Sequence, residues 1–195
     1  MTELHEGGVH DMPTAVIRKS TIGPTTMLFL LLAPALSSAQ NLDEQTARVQ
    51  NVVQSITVSV DLRRFDLLES FYAEQVVADY SSLWGTEPRR LARSEIAAAW
   101  AVFIPGFDTT RHEVSNIEVH VDGPNASASA DVVASHWLDD ESWVIRGKYL
   151  FELFRGSNDW VVRNWKFVLE SESGDRSLVD VAEARASREN ARKNL

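Results

Sequence analysis

The sequence predicts an α+β fold, with helices first and then a long, mostly antiparallel sheet. Two observations predict it. Apolar residues recur three or four positions apart in Leu42–Ser59, Arg63–Ala73 and Ala92–Phe103, the spacing of a helix with one buried face. From Asp108 to Glu172 the pattern changes to alternation, the period of a strand with one buried side. Helices grouped ahead of strands, rather than interleaved with them, mark the α+β class. A strongly bent sheet wrapped around those helices forms a cone with one open end.

Taken in order, residues 1–39 read as a secretory signal peptide. Arg18 and Lys19 precede the apolar run Met27–Leu32, and Ser37-Ser38-Ala39 supplies small residues for a cut near Ala39. The run is shorter than the ~20 apolar residues of a spanning helix, so the expectation is a secreted or periplasmic protein with no stable membrane span. An uncleaved membrane anchor is the alternative. Glu3, Glu6 and Asp11 make the preceding region unusual for a leader, and Met12 is a second candidate start. The domain expected next is 40–172, followed by a polar tail or surface helix over 173–195.

Within the domain, Val49, Val52, Val53 and Ile56 form the inner face of the first helix, and Asp61 stands where that helix gives way to the next. Phe65, Leu68, Phe71 and Tyr72 line the second. Val76–Leu83 reads as a strand and Trp84–Pro88 as a turn. Ala92–Phe103 is helical, with Ser94 as its expected N-cap, and ends before Pro105-Gly106. In the strand Arg111–Val121, His112 and Val114 have one parity and Ile117, Val119 and Val121 the other. A bulge near Ser115-Asn116 brings both groups to one side. The next strand, Ala126–Leu138, puts Ala126, Ala128, Ala130, Val132, Ala134 and His136 on one face. A row of small side chains leaves room for something else to fill. Trp143–Phe154 aligns Trp143, Ile145, Gly147, Tyr149, Phe151 and Leu153, and Trp160–Leu169 closes the sheet.

Composition narrows the function. A net charge of −9 without a basic, aromatic-interleaved patch excludes nucleic acid as the expected partner. The absence of cysteine removes disulfides, thiol nucleophiles and Cys-based metal sites. Four side chains can carry chemistry: Asp61, Tyr80, His112 and His136. Two imidazoles supply the acid and base of a proton transfer, a carboxylate fixes the tautomer of one of them, and a phenol donates to a carbonyl or a departing water. Asp79, opposite in parity to Tyr80, reads as structural, and His120, Arg146 and Lys148 as solvated. Trp100, Phe107, Trp137 and Trp143 are candidates for pocket wall or core.

Asp61–Asp66 (D-L-R-R-F-D), Ala78–Leu83 (A-D-Y-S-S-L), Thr110–Asn116 (T-R-H-E-V-S-N) and Ser135–Trp137 (S-H-W) together resemble the SnoaL-like group of the nuclear transport factor 2-like superfamily, and within it the scytalone dehydratases. The resemblance covers about Gln45–Glu170. It implies the cystatin-like α+β cone and metal-free, cofactor-free acid–base catalysis, a dehydration or isomerisation of a small apolar cyclic molecule by a homodimer or homotrimer. Carried over, Asp61 pairs with His136, His112 is general base and acid, and Tyr80 holds the water. Trp84, Phe103, Val132, Ala134, Tyr149, Phe151, Leu153 and Trp165 are the expected substrate-binding walls. Three departures stand out: Val60 replaces a tyrosine of the dehydratase pattern, and Phe151 and Leu153 replace small polar residues. A non-catalytic binding or dimerisation module of the same fold is the alternative.

Overall fold

The computed structural model describes residues 25–193, with side chains described from 40 to 192; the expected signal peptide therefore falls outside the described side chains. A compact unit begins at Ala39. Helix α1 spans Thr25–Asp61, and its expected stripe Val49, Val52, Val53 and Ile56 is buried together with Val60. Among the described residues no helix is long and apolar enough to cross a membrane.

Arg63 adopts a left-handed conformation, φ 56°, which breaks the chain direction after α1. Helix α2, Phe65–Phe71, is shorter than Arg63–Ala73 because Tyr72 already belongs to strand β1, Tyr72–Asp79. The strand expected at Val76–Leu83 is thus shifted toward the N-terminus. Asp79 ends it: its Oδ1 accepts the Ser81 N–H at 3.0 Å and its Oδ2 pairs with Lys166 at 2.9 Å, a local carboxylate turn of the kind that competes with strand pairing. Tyr80 then precedes a one-turn helix α3, Ser81–Trp84, closed by Gly85 at φ 67°. A short strand β2, Arg89–Ala92, was not legible as a strand because two of its four residues are arginine. Helix α4, Arg93–Phe103, starts one residue before the expected N-cap: Ser94 lies within its first turn, and the Glu95 carboxylate accepts the Ala92 N–H at 2.7 Å.

Four long strands follow: β3 Thr109–Asp122, β4 Asn125–Leu138, β5 Glu141–Arg155 and β6 Trp160–Gly174. The six strands form one curved open sheet in the order β2-β1-β6-β5-β4-β3. All neighbours are antiparallel except β1 and β6. The bulge expected in β3 is present: the register shifts between Ser115 and Glu118, and Asn116 has φ 50°. Consequently His112, Val114, Val119 and Val121 pair with Ala134, Val132, Ala128 and Ala126, all on the buried face of β4.

The small-residue row of β4 is filled chiefly by packing rather than left as cavity. Ala126, Ala128, Ala130, Val132 and Ala134 share one core with the α1 stripe, and Gln50 and Gln45 of α1 reach Ile117 O and Trp160 Nε1 on the sheet. Alanines permit this close approach of a helix about 10 Å thick.

The segment after β6 is helix α5, Leu178–Lys193, with Leu178, Ala182 and Ala186 buried at one-turn intervals. It lies directly on Gly106, where an added Cβ would stand 1.8 Å from the Ala182 carbonyl oxygen. Arg185 pairs with Asp108 at 2.9 Å beside this contact. Gly106→Ala should therefore displace α5 and cost about 1–3 kcal/mol, the usual penalty of overpacking. Thermal unfolding checks this, with a melting temperature lower by about 2–4 °C for each kcal/mol.

Candidate active site

A cavity of about 250 Å³ opens at the end of the sheet's inner face, where His136 stands near the end of β4. Four indoles stand in its wall: Trp84 from α3, Trp100 from α4, Trp143 from β5 and Trp165 from β6. His112 and His136 both line it and meet edge to face, with ring centroids 5.6 Å apart and planes at 88°.

The two imidazoles differ because their partners differ. Asp61, the last residue of α1, reaches β3 and accepts three hydrogen bonds. His112 Nδ1 and its backbone N–H each lie at 2.7 Å, and Thr110 Oγ1 at 2.9 Å. Burial alone would raise the Asp61 carboxyl, but the bonds and charge from His112, with Thr110, hold it below its ordinary 3.8. An ionised carboxylate only accepts, so Nδ1 of His112 carries the proton and Nε2 is the free nitrogen. The side chain is 2% exposed.

His136 lies at 2% exposure between the Trp143 ring, stacked at 4.7 Å, and the Phe107 ring at 5.0 Å. Its Nδ1 donates to the Trp143 carbonyl at 3.2 Å, which again leaves Nε2 free. Burial, and then the charge of His112, push its pKa down to about 3. His136 is a neutral imidazole at physiological pH.

Tyr80 completes the polar set. Its hydroxyl is buried without a hydrogen-bond partner among the described residues, as are Tyr72 OH and Trp165 Nε1. The Tyr80 ring stands 5.4 Å from Trp165 and 6.4 Å from Trp100. Burial, followed by the neighbouring phenols of Tyr149 and Tyr72, raises its pKa well above 10, so it is a donor and never a phenolate at neutral pH. Tyr149 also lines the cavity, and burial and the Asp61 charge raise its pKa as well.

The structure brings Asp61, His112, His136 and Tyr80 to one place but changes one pairing. Asp61 binds His112, not His136, because Thr110 and His112 are the β3 residues that face the end of α1. Of the expected walls, Trp84, Phe103, Tyr149 and Trp165 line the cavity. Val132, Ala134, Phe151 and Leu153 do not; they are core residues, covered by helix packing deeper along the sheet. The positions of Phe151 and Leu153 therefore do not make the pocket apolar; the indoles and Ile145 do. Val60 is likewise fully in the core. Trp137 is neither wall nor core, at 37% exposure. Thr110 was missed, although its parity with His112 on one strand was readable. Among the described residues no three His, Asp or Glu side chains gather as a metal site.

The structure is a curved mixed sheet packed with helices, with two histidines in an aromatic hollow and a carboxylate bound to one of them. Residues 43–166 match the SnoaL-like domain, and the chain belongs to that family, within the nuclear transport factor 2-like superfamily. Solved structures share the fold. The Kfla4162 protein from Kribbella flavida is 24% identical, with a TM-score of 0.66 over 71% of this chain and 98% of that one. A scytalone dehydratase candidate from Novosphingobium aromaticivorans is 16% identical, with a TM-score of 0.60 over 71% and 92%. The hexachlorocyclohexane dehydrochlorinase LinA-type3 from Novosphingobium barchaimii is 16% identical, with a TM-score of 0.56 over 67% and 89%. No curated protein matches the chain.

The neutral state of His136 makes stability depend on pH. Its folded pKa is depressed from 6.5 to about 3, so the unfolded chain binds more protons between those values and stability is lost as pH falls through that window. Below pH 6.5 the loss approaches about 1 kcal/mol per pH unit. Asp61 adds to it only below its ordinary 3.8. His136→Asn keeps a donor for the Trp143 carbonyl but cannot titrate. Urea unfolding from pH 7 to 4 should show a shallower slope for this variant than for the wild type.

Proposed function

We propose that the protein is a lyase or isomerase that moves a proton on a small, mostly apolar cyclic molecule by general acid–base catalysis. The observation that carries this reading is the Asp61–His112 pair in a cavity whose second imidazole stays neutral. His112 Nε2 takes a proton from carbon, and Asp61 stabilises the imidazolium that forms. The hydroxyl of Tyr80 donates to the substrate oxygen as charge builds there. In a dehydration His112 then returns its proton to the departing hydroxyl, which leaves as water. In an isomerisation it returns the proton to a different carbon. His136, unable to charge, accepts a hydrogen bond from the substrate through Nε2. The aromatic lining and a volume of about 250 Å³ suit one or two rings. Neighbours named as a scytalone dehydratase candidate and a dehydrochlorinase support elimination as the reaction type.

Proton abstraction is testable without knowing the leaving group. In D2O the protein should speed α-deuterium exchange of 1-tetralone or cyclohexenone, read by NMR, or chloride release from hexachlorocyclohexane. His112→Gln should lower the active reaction by about 10²–10⁴-fold while the far-ultraviolet circular dichroism is retained. Equal rates in wild type, His112→Gln and His136→Asn would remove the catalytic reading. The apolar lining alone then favours the second reading, a binding module that releases its ligand unchanged.

A further inference from the structure

Two residues beyond the 43–166 family match reach the walls of the pocket. Strand β6 continues to Gly174, where φ is 81° and an added Cβ would stand 1.9 Å from the Ser142 carbonyl oxygen. This approach lays the chain against the start of β5, and Asp175 N–H donates to the same oxygen at 3.0 Å. Arg176 is thereby held beside Leu83 and Trp84, two residues of the cavity lining. Its Nε donates to Glu172 Oε1 at 2.6 Å, and its Nη2 pairs with Glu172 Oε2. Its Nη1 donates to the Leu83 carbonyl at 3.0 Å, and the guanidinium lies 5.5 Å from the centre of the Trp84 ring. Glu172 Oε1 also accepts the Trp143 indole N–H at 2.6 Å.

Trp84 and Trp143 are adjacent walls, with ring centroids 5.8 Å apart. Trp84 is 41% exposed on a four-residue helix, so little else restrains it. Trp143 stacks on His136 and accepts its Nδ1–H. One ion pair thus holds two indoles, and through one of them a histidine. We propose that Glu172 and Arg176 are positioning residues: they clamp Trp84 and Trp143 as one wall of the pocket and so set how readily a flat cyclic ligand enters and leaves. The pair is half-exposed, with side chains 43% and 24% accessible, so it contributes little to global stability. Its effect lies in placement, through directed bonds and a cation–π contact.

The test uses the full chain and two readouts. The circular-dichroism couplet of the Trp84–Trp143 pair, identified by its loss in Trp84→Phe, needs no ligand. The release rate of 2-naphthol, by stopped-flow tryptophan fluorescence, rests on the pocket reading above. Arg176→Ala and Glu172→Gln should each lose most of the couplet and speed release about tenfold, since such changes fall mainly on dissociation. Melting temperatures should stay close to wild type, and Arg176→Lys should recover part of both signals. A couplet and release rate unchanged in both variants would overturn the proposal. If wild type does not bind 2-naphthol, the pocket reading fails, and the couplet alone decides the clamp.

Discussion

The structure depends most on the carboxylate of Asp61. It stands at the end of α1 and spends its acceptor capacity on strand β3: one ring N–H, one backbone N–H and one hydroxyl. A half-buried carboxylate without such donors would be costly. With them it joins the helix to the sheet edge and decides which nitrogen of His112 keeps its proton. Fold and chemistry share this contact. The same three bonds that seat the helix on β3 leave the imidazole of His112 with its Nε2 unengaged in the cavity wall.

Around this contact two identical side chains acquire different behaviour from their surroundings. His112 has a carboxylate as its partner; His136 is buried against an indole and a phenyl ring, and that burial outweighs the Trp143 carbonyl and disfavours charge. In the proposed mechanism a base stands next to a neutral hydrogen-bonding group, which avoids the repulsion of two adjacent cations. The indoles surround this arrangement with apolar surface, and low local polarity strengthens each of its hydrogen bonds.

Much of this was legible from spacing. The alternation of β4 and β5 gave the buried face correctly, and the parity change in β3 gave the bulge, because strand periodicity is strict and a single inserted residue leaves a visible trace. The stripe of α1 was equally clear. What sequence could not supply was which element stood opposite which. The partner of Asp61 depends on the packing of α1 against β3, and nothing along the chain distinguishes His112 from His136 in that respect. Val132, Ala134, Phe151 and Leu153 share the parity of the pocket residues, yet how far the helix covers the sheet decides that they are core. The stripe Leu178, Ala182 and Ala186 is too sparse within a charged segment to announce a packed helix, and Gly106 has meaning only once Ala182 lies on it.

Asp61 fixes His112 as the Nδ1–H tautomer with a free Nε2. Long-range ¹H–¹⁵N correlation spectra of ¹⁵N-histidine-labelled protein test it most directly, with Asp61→Asn to assign the coupled ring. Neutral His112 should show a protonated Nδ1 and an unprotonated Nε2, and the pattern should change in the variant. A neutral His112 protonated at Nε2, indifferent to residue 61, would contradict it.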